Sequence, residues 1–86
     1  LYGLSSTLYG EITLSKGRVE QSSFSDYRIV SMLDAPAIEV HLVDSDAPFG
    51  GVGELATPCI GPAVANAYFR ATGRPVRRLP LLKPPQ

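Results

Sequence analysis

Hydrophobic positions change their period several times along this chain, and each change marks an element. In the opening LYGLSSTLYG, Leu1, Leu4, Ser5, Leu8 and Tyr9 fall near helical spacing, which predicts a short helix over residues 1–9 with one apolar stripe. Gly3 and Gly10 weaken it by about 1 kcal/mol each relative to alanine. Gly3, Ser5, Ser6 and Thr7 would let another element approach its backbone closely. In EITLSKGRVE the period drops to two. Ile12 and Leu14 share a face, Ser15, Lys16 and Gly17 make a turn, and Arg18, Val19 and Glu20 return, which predicts a hairpin with a short loop.

SFSDYRIVSMLDAP mixes polar and apolar residues until Ala35 and Pro36 end it; it is expected as an extended connection lying over the core. AIEVHLVDS, residues 37–45, is the clearest strand, with Ile38, Val40 and Leu42 on one side and Glu39, His41 and Val43 on the other. A second helical pattern runs from Pro62 to the residue before Gly73. Pro62 suits a first helical turn, where its missing N–H would be unpaired anyway, and Gly73 suits a left-handed stop with Pro75 beyond it. That helix is ~11 residues and ~16 Å long. Val64, Tyr68 and Ala71 form one stripe with Ala65, Phe69 and Thr72 beside it, the pattern of a helix covering a sheet face. RRLPLLKPPQ holds too much proline to continue it and predicts an extended tail. The order of elements gives an α+β fold with mainly antiparallel pairing.

Length and composition narrow this further. Eighty-six residues make one domain at most, and 44% hydrophobic with 19% charged residues is the balance of an ordinary globular segment. Eight basic and eight acidic residues cancel. They are unevenly placed: an acidic middle (Asp34, Glu39, Asp44, Asp46, Glu54) precedes a basic end (Arg70, Arg74, Arg77, Arg78, Lys83). No aromatic residues interleave with those arginines, so a solvated face is expected rather than a nucleic-acid surface. One cysteine excludes an internal disulfide and a Cys-rich metal site. Cys59 with His41 is a minimal thiol pair, but a cysteine between proline and isoleucine ordinarily fills apolar space, and a histidine on a strand is ordinarily exposed. No apolar run reaches the ~18 residues of a membrane span. The chain begins without methionine or a charged segment ahead of an apolar stretch, so no signal peptide is expected, and it reads as cut from something longer.

The stretch FGGVGELATPCIGP, residues 49–62, carries the chemistry. Its glycines do not have the spacing of a phosphate-binding loop or a dinucleotide fingerprint. Two readings remain. Glycine supplies positive φ in a loop between strand and helix, or a backbone without Cβ lets a ligand sit against its N–H groups. On the second reading Glu54, locked by Pro58 and Pro62, is a fixed carboxylate beside a bound group, as a general base requires. A carboxylate in that role needs burial or a negative neighbour to hold a proton near neutrality.

GGVGE, then TPxxxPAxANAxFxATG followed by a basic residue, then RxLPL, is very similar to the end of the molybdopterin-binding large subunit of molybdenum hydroxylases. Within that family the chain resembles the isoquinoline 1-oxidoreductase β-subunit group, whose relatives include xanthine dehydrogenase and aldehyde oxidoreductase. GLSSTLYGEI, GRVEQSSFSDYR and AP-IEVHLV resemble the segments that precede that end, so the likeness covers nearly the whole chain in order. The resemblance implies that residues 1–86 are a single partial domain, the C-terminal part of a much larger molybdopterin-binding domain. It implies that Glu54 is the catalytic base beside the molybdenum, and that Gly51, Val52 and Gly53 form the loop placing it against the cofactor. The implied reaction is hydroxylation of an aromatic N-heterocycle or aldehyde with oxygen from water, electrons leaving through iron–sulfur clusters on a partner subunit or domain. The chain departs from the family at Leu55 and Cys59, where proline is common.

Partners on this reading are the remainder of the large subunit and an iron–sulfur subunit. No protein ligand to a metal is expected here, and no cofactor is expected on the isolated chain. A second reading is a catalytically silent docking or structural domain that self-associates or completes a larger subunit. Its ground is the small and apolar surface of the first helix.

Overall fold

The computed structural model describes residues 1–82. It contains two helices and one small antiparallel sheet: α1 (Tyr2–Leu8), β1 (Leu14–Ser15), β2 (Arg18–Val19) and α2 (Thr57–Thr72). The fold is α+β.

The core lies between the two helices, and it is built on small residues. Gly3 and Thr7, one turn apart on α1, are both buried. A Cβ on Gly3 would stand 2.9 Å from the Thr57 carbonyl oxygen and would overlap the Ile60 side chain, while one on Gly61 would stand 3.4 Å from Thr7 Oγ1. Thus Gly3 and Thr7 face Thr57, Ile60 and Gly61, and the backbones meet because one side has no Cβ to keep them apart. The face α2 turns inward is half-buried at Thr57, Ile60, Gly61, Val64, Ala65 and Tyr68, the spacing of a single helical stripe. Thr7 also donates a hydrogen bond to the Gly3 carbonyl (2.8 Å), which removes the cost of burying its hydroxyl.

Around this seam the chain is tied at few points. Tyr9 is 9% exposed, and the Arg28 guanidinium lies 3.8 Å from its ring centroid, a cation–π contact. Arg28 also pairs with Asp34 at 3.8 Å. The Val30 N–H donates to Ser5 Oγ (3.0 Å). The hairpin turns through Lys16 and Gly17, both at positive φ (49° and 76°), the two-residue turn that matches strand twist. Its ladder joins Leu14 to Val19 and Ser15 to Arg18, and Gln21 extends it by bonding both the Thr13 N–H and the Thr13 hydroxyl at 2.8 Å. Asp26 accepts from the N–H groups of Ser22 and Ser23 and from the Ser22 hydroxyl, and the backbone bonds hold its carboxyl below the usual carboxylate range.

Several expectations are corrected. Residues 37–45 form no ladder: Ile38, Val40 and Leu42 are 60%, 75% and 93% exposed, because no other strand among the described residues lies alongside. The connection before them is made of turns near residues 24–26 and 32–34 rather than being extended. Helix α2 starts five residues before Pro62, since Pro58 takes the first-turn position and Pro62 sits inside the helix; Pro62 loses one backbone bond there. The helix is 16 residues long and covers α1 instead of a sheet, and Ala71, Phe69 and Thr72 are exposed. Gly73 does stop it, at φ 72° with its N–H on the Phe69 carbonyl (2.7 Å). The segment after Gly73 returns to α1: the N–H groups of Leu81 and Leu82 bond the carbonyls of Thr7 and Leu8 at 2.8 and 2.9 Å, and Pro80 is buried. The last four residues of the expected tail, 83–86, lie outside the described residues.

Gly3→Ala is expected to separate the helices and lower stability by ~1–3 kcal/mol, as overpacking does. Gly61→Ala, whose new methyl meets Thr7 at ordinary contact distance, is expected to be neutral or stabilising, because alanine favours a helix by about 1 kcal/mol over glycine. Thermal unfolding followed by helical circular dichroism compares the two.

Candidate functional site

The glycine loop is held from its C-terminal side. The Thr57 N–H donates to the Glu54 carbonyl (3.1 Å), and Cys59 and Ile60 both donate to the Ala56 carbonyl (3.1 Å), so Glu54 stands two residues before the N-cap of α2. A carboxylate at that end also sits on the favourable side of the helix dipole. Because Thr57 and Ile60 are the residues that meet Gly3, the seam between the helices fixes the root of the loop. Glu54 itself is exposed, and its side chain has no hydrogen bond or ion pair among the described residues.

Gly51, Val52 and Gly53 are exposed as well. Gly53 borders a cleft of about 230 Å³ formed with Leu1, Tyr2, Gly3, Ala56 and Ile60. Added Cβ atoms at Gly50, Gly51 and Gly53 would meet nothing within 4 Å, and none of the three has positive φ. The expectation that glycine serves this loop by its left-handed conformation is therefore corrected. Inside the described chain, neither conformation nor crowding requires glycine at these positions. Their N–H groups donate to no protein acceptor among the described residues, so they stand open to an external one.

The other candidates are not brought together with this loop. His41 is exposed and lies 3.5 Å from Glu39, while Cys59 is exposed with its thiol 3.6 Å from the Leu55 carbonyl. Among the described residues no three His, Cys, Asp or Glu side chains converge to hold a metal, and no helix is long and apolar enough to cross a membrane. The reading from sequence missed Thr57 and Gly61, which anchor the loop. Their four-residue spacing, matching that of Gly3 and Thr7, was the signal.

Comparison with known proteins agrees with the motifs. The chain is 41% identical over 81 residues to isoquinoline 1-oxidoreductase subunit beta of Brevundimonas diminuta, covering 94% of this chain and 10% of that protein. It is 30% identical, with the same coverage, to the membrane-bound aldehyde dehydrogenase [pyrroloquinoline-quinone] of Gluconacetobacter polyoxogenes. The chain thus spans about a tenth of the length of these relatives. No family model matches it, and no solved structure does. The chain is homologous to one segment of a large oxidoreductase subunit, of the isoquinoline 1-oxidoreductase kind its motifs resemble.

Since the Glu54 side chain is exposed and makes no hydrogen bond or ion pair among the described residues, Glu54→Gln is expected to leave the thermal unfolding of the 86-residue protein unchanged within about 0.5 kcal/mol. A larger loss, measured by calorimetry, would mean that the carboxylate serves the fold.

Proposed function

We propose that this chain contributes the general base of a molybdopterin-dependent hydroxylase, with Glu54 as the base and the backbone of Gly51, Val52 and Gly53 against the cofactor. The observation that carries this reading is a run of glycines whose missing Cβ atoms have no use inside the chain. Something from outside that approaches the backbone closely accounts for them. The residues fit such a group: the N–H groups of Gly51, Val52 and Gly53 donate to no backbone acceptor among the described residues, which suits the acceptor-rich periphery of a pterin cofactor. The metal would be carried by the cofactor, as no ligand set converges among the described residues. When bound, the cofactor supplies a redox centre that takes two electrons from the substrate, and iron–sulfur clusters on a partner subunit or domain pass them on.

The chain's own contribution is proton transfer. Glu54 accepts the proton from the water-derived oxygen as that oxygen attacks the electron-poor carbon of an N-heterocycle or aldehyde. Its carboxylate is exposed in this chain, and the rest of the subunit would cover it and exclude water in the assembled enzyme. The names of the two relatives, a heterocycle oxidoreductase and an aldehyde dehydrogenase, support these substrate classes. In the assembled enzyme, Glu54→Gln is expected to leave molybdenum content near normal while turnover falls by roughly 10²–10⁴-fold, the range for a lost general base. Unchanged turnover sinks the assignment.

One observation favours a second reading for the chain taken alone, a silent docking domain. Its radius of gyration is 16.3 Å, against about 12 Å for a compact domain of this length, and Phe24, Leu33 and Phe49 are fully exposed. On this reading the purified chain binds no stoichiometric molybdenum and elutes above its monomer size or with partner polypeptide. Size-exclusion chromatography with light scattering and elemental analysis are the measurements; a monomer carrying one molybdenum contradicts it.

A further inference from the structure

Residues 37–43 carry strand alternation but form no ladder, and no backbone hydrogen bond joins residues 36–53 to any other part of the described chain. The apolar side of the pattern, Ile38, Val40 and Leu42, is as open as the polar side. Natural proteins guard exposed strand edges with lysine, proline or a cover; within 37–43 there is neither lysine nor proline. The chain's own hairpin has two-residue strands, too short to take a seven-residue neighbour.

The occupant follows from charge and length. From residue 29 to residue 69 there is no lysine or arginine, whereas Asp34, Glu39, Asp44, Asp46 and Glu54 are all acidic. A second copy would bring this acidic stretch against itself, which Coulomb repulsion disfavours. In the relatives the matching segment is about a tenth of the protein, and the other nine-tenths is further polypeptide.

Resting on the reading that this chain works inside a large subunit, we propose that residues 37–43 add as a strand to one open sheet edge in the remainder of that subunit. That edge carries lysine or arginine opposite Glu39 and an apolar face continuous with Ile38, Val40 and Leu42. Backbone pairing supplies the affinity and the alternate side chains the register. The pairing also secures the loop from its N-terminal side, seven residues before Gly50.

The test uses the full 86-residue chain and, as probe, the Brevundimonas diminuta subunit with its 81 matching residues deleted, produced together. The two are expected to co-purify, with amide exchange at residues 38–42 slowed about a hundredfold at alternate positions. Of the neighbouring substitutions Val40→Pro and His41→Pro, only the one that removes a ladder N–H weakens the complex, by at least about tenfold. Neither alters the helices of the free chain, because residues 40 and 41 make no backbone bond to them. Co-purification with unchanged exchange at 38–42 overturns the inference and leaves the functional reading standing. Equal weakening by both prolines overturns the single-edge arrangement. Protection that arises in the chain alone as it dimerises makes a second copy the occupant and overturns it as well. No co-purification overturns the inference and the functional reading together.

Discussion

The absence of a side chain at Gly3 is the constraint on which the rest of the described structure depends. It lets α1 lie against the first turn of α2, with the Thr57 carbonyl only 2.9 Å from where a Cβ would be. With so little else buried, chiefly Thr7, Tyr9 and Pro80, no second layer would compensate for its loss. The same contact decides where the first turn of α2 points, and Glu54 leads into that turn. Helix seam and candidate base are therefore mechanically one unit, although no side chain joins them.

The two ends of the glycine loop are unequal. Its C-terminal end continues into a helix whose stop at Gly73 and return strap through Leu81 and Leu82 tie it again to α1. Its N-terminal end continues into a segment with no backbone partner. A general base must be placed to within a fraction of an ångström, and a loop anchored on one side alone does not provide that. The glycines make this worse for the isolated chain, since they widen the conformations available. On the proposed function, an external group occupying the space their missing Cβ atoms leave would restrict them again.

What was legible in the sequence followed from local chemistry. The first helix, the Lys16–Gly17 turn and the Gly73 stop are each set by residues within a few positions, so their signals survive in a chain of this size. The small face of α1 was legible as a close-approach surface, though which element would meet it was not. Residues 37–45 failed for the opposite reason. Alternation states which faces a strand would have but not that a neighbour exists, and a strand without a neighbour has no ladder. Pro62 misled because a proline suits a first turn, and Pro58 occupied that position four residues earlier. At the site, the exposure of Glu54 and the emptiness around Gly51 and Gly53 were not legible, since both depend on what lies across from the loop rather than on the loop.

The mismatch between pattern and structure is itself informative about where stability resides. An amphipathic strand pattern costs nothing to encode and brings no stability until it is paired, whereas the helical seam is stable within the chain. Consistency between local pattern and global fold is the mark of a sequence that folds as given. Here the consistent part is the α1–α2 seam and the inconsistent part is the acidic, apolar arm leading to the glycine loop. A sequence that keeps alternating apolar residues at 38, 40 and 42 in the open, next to glycines that nothing in the chain requires, is consistent once both are completed by surfaces outside it. The arm and the loop are contiguous, so pairing of one would restrict the other. On that view assembly and catalytic competence are coupled: the event that buries the arm is also the event that gives Glu54 a fixed position.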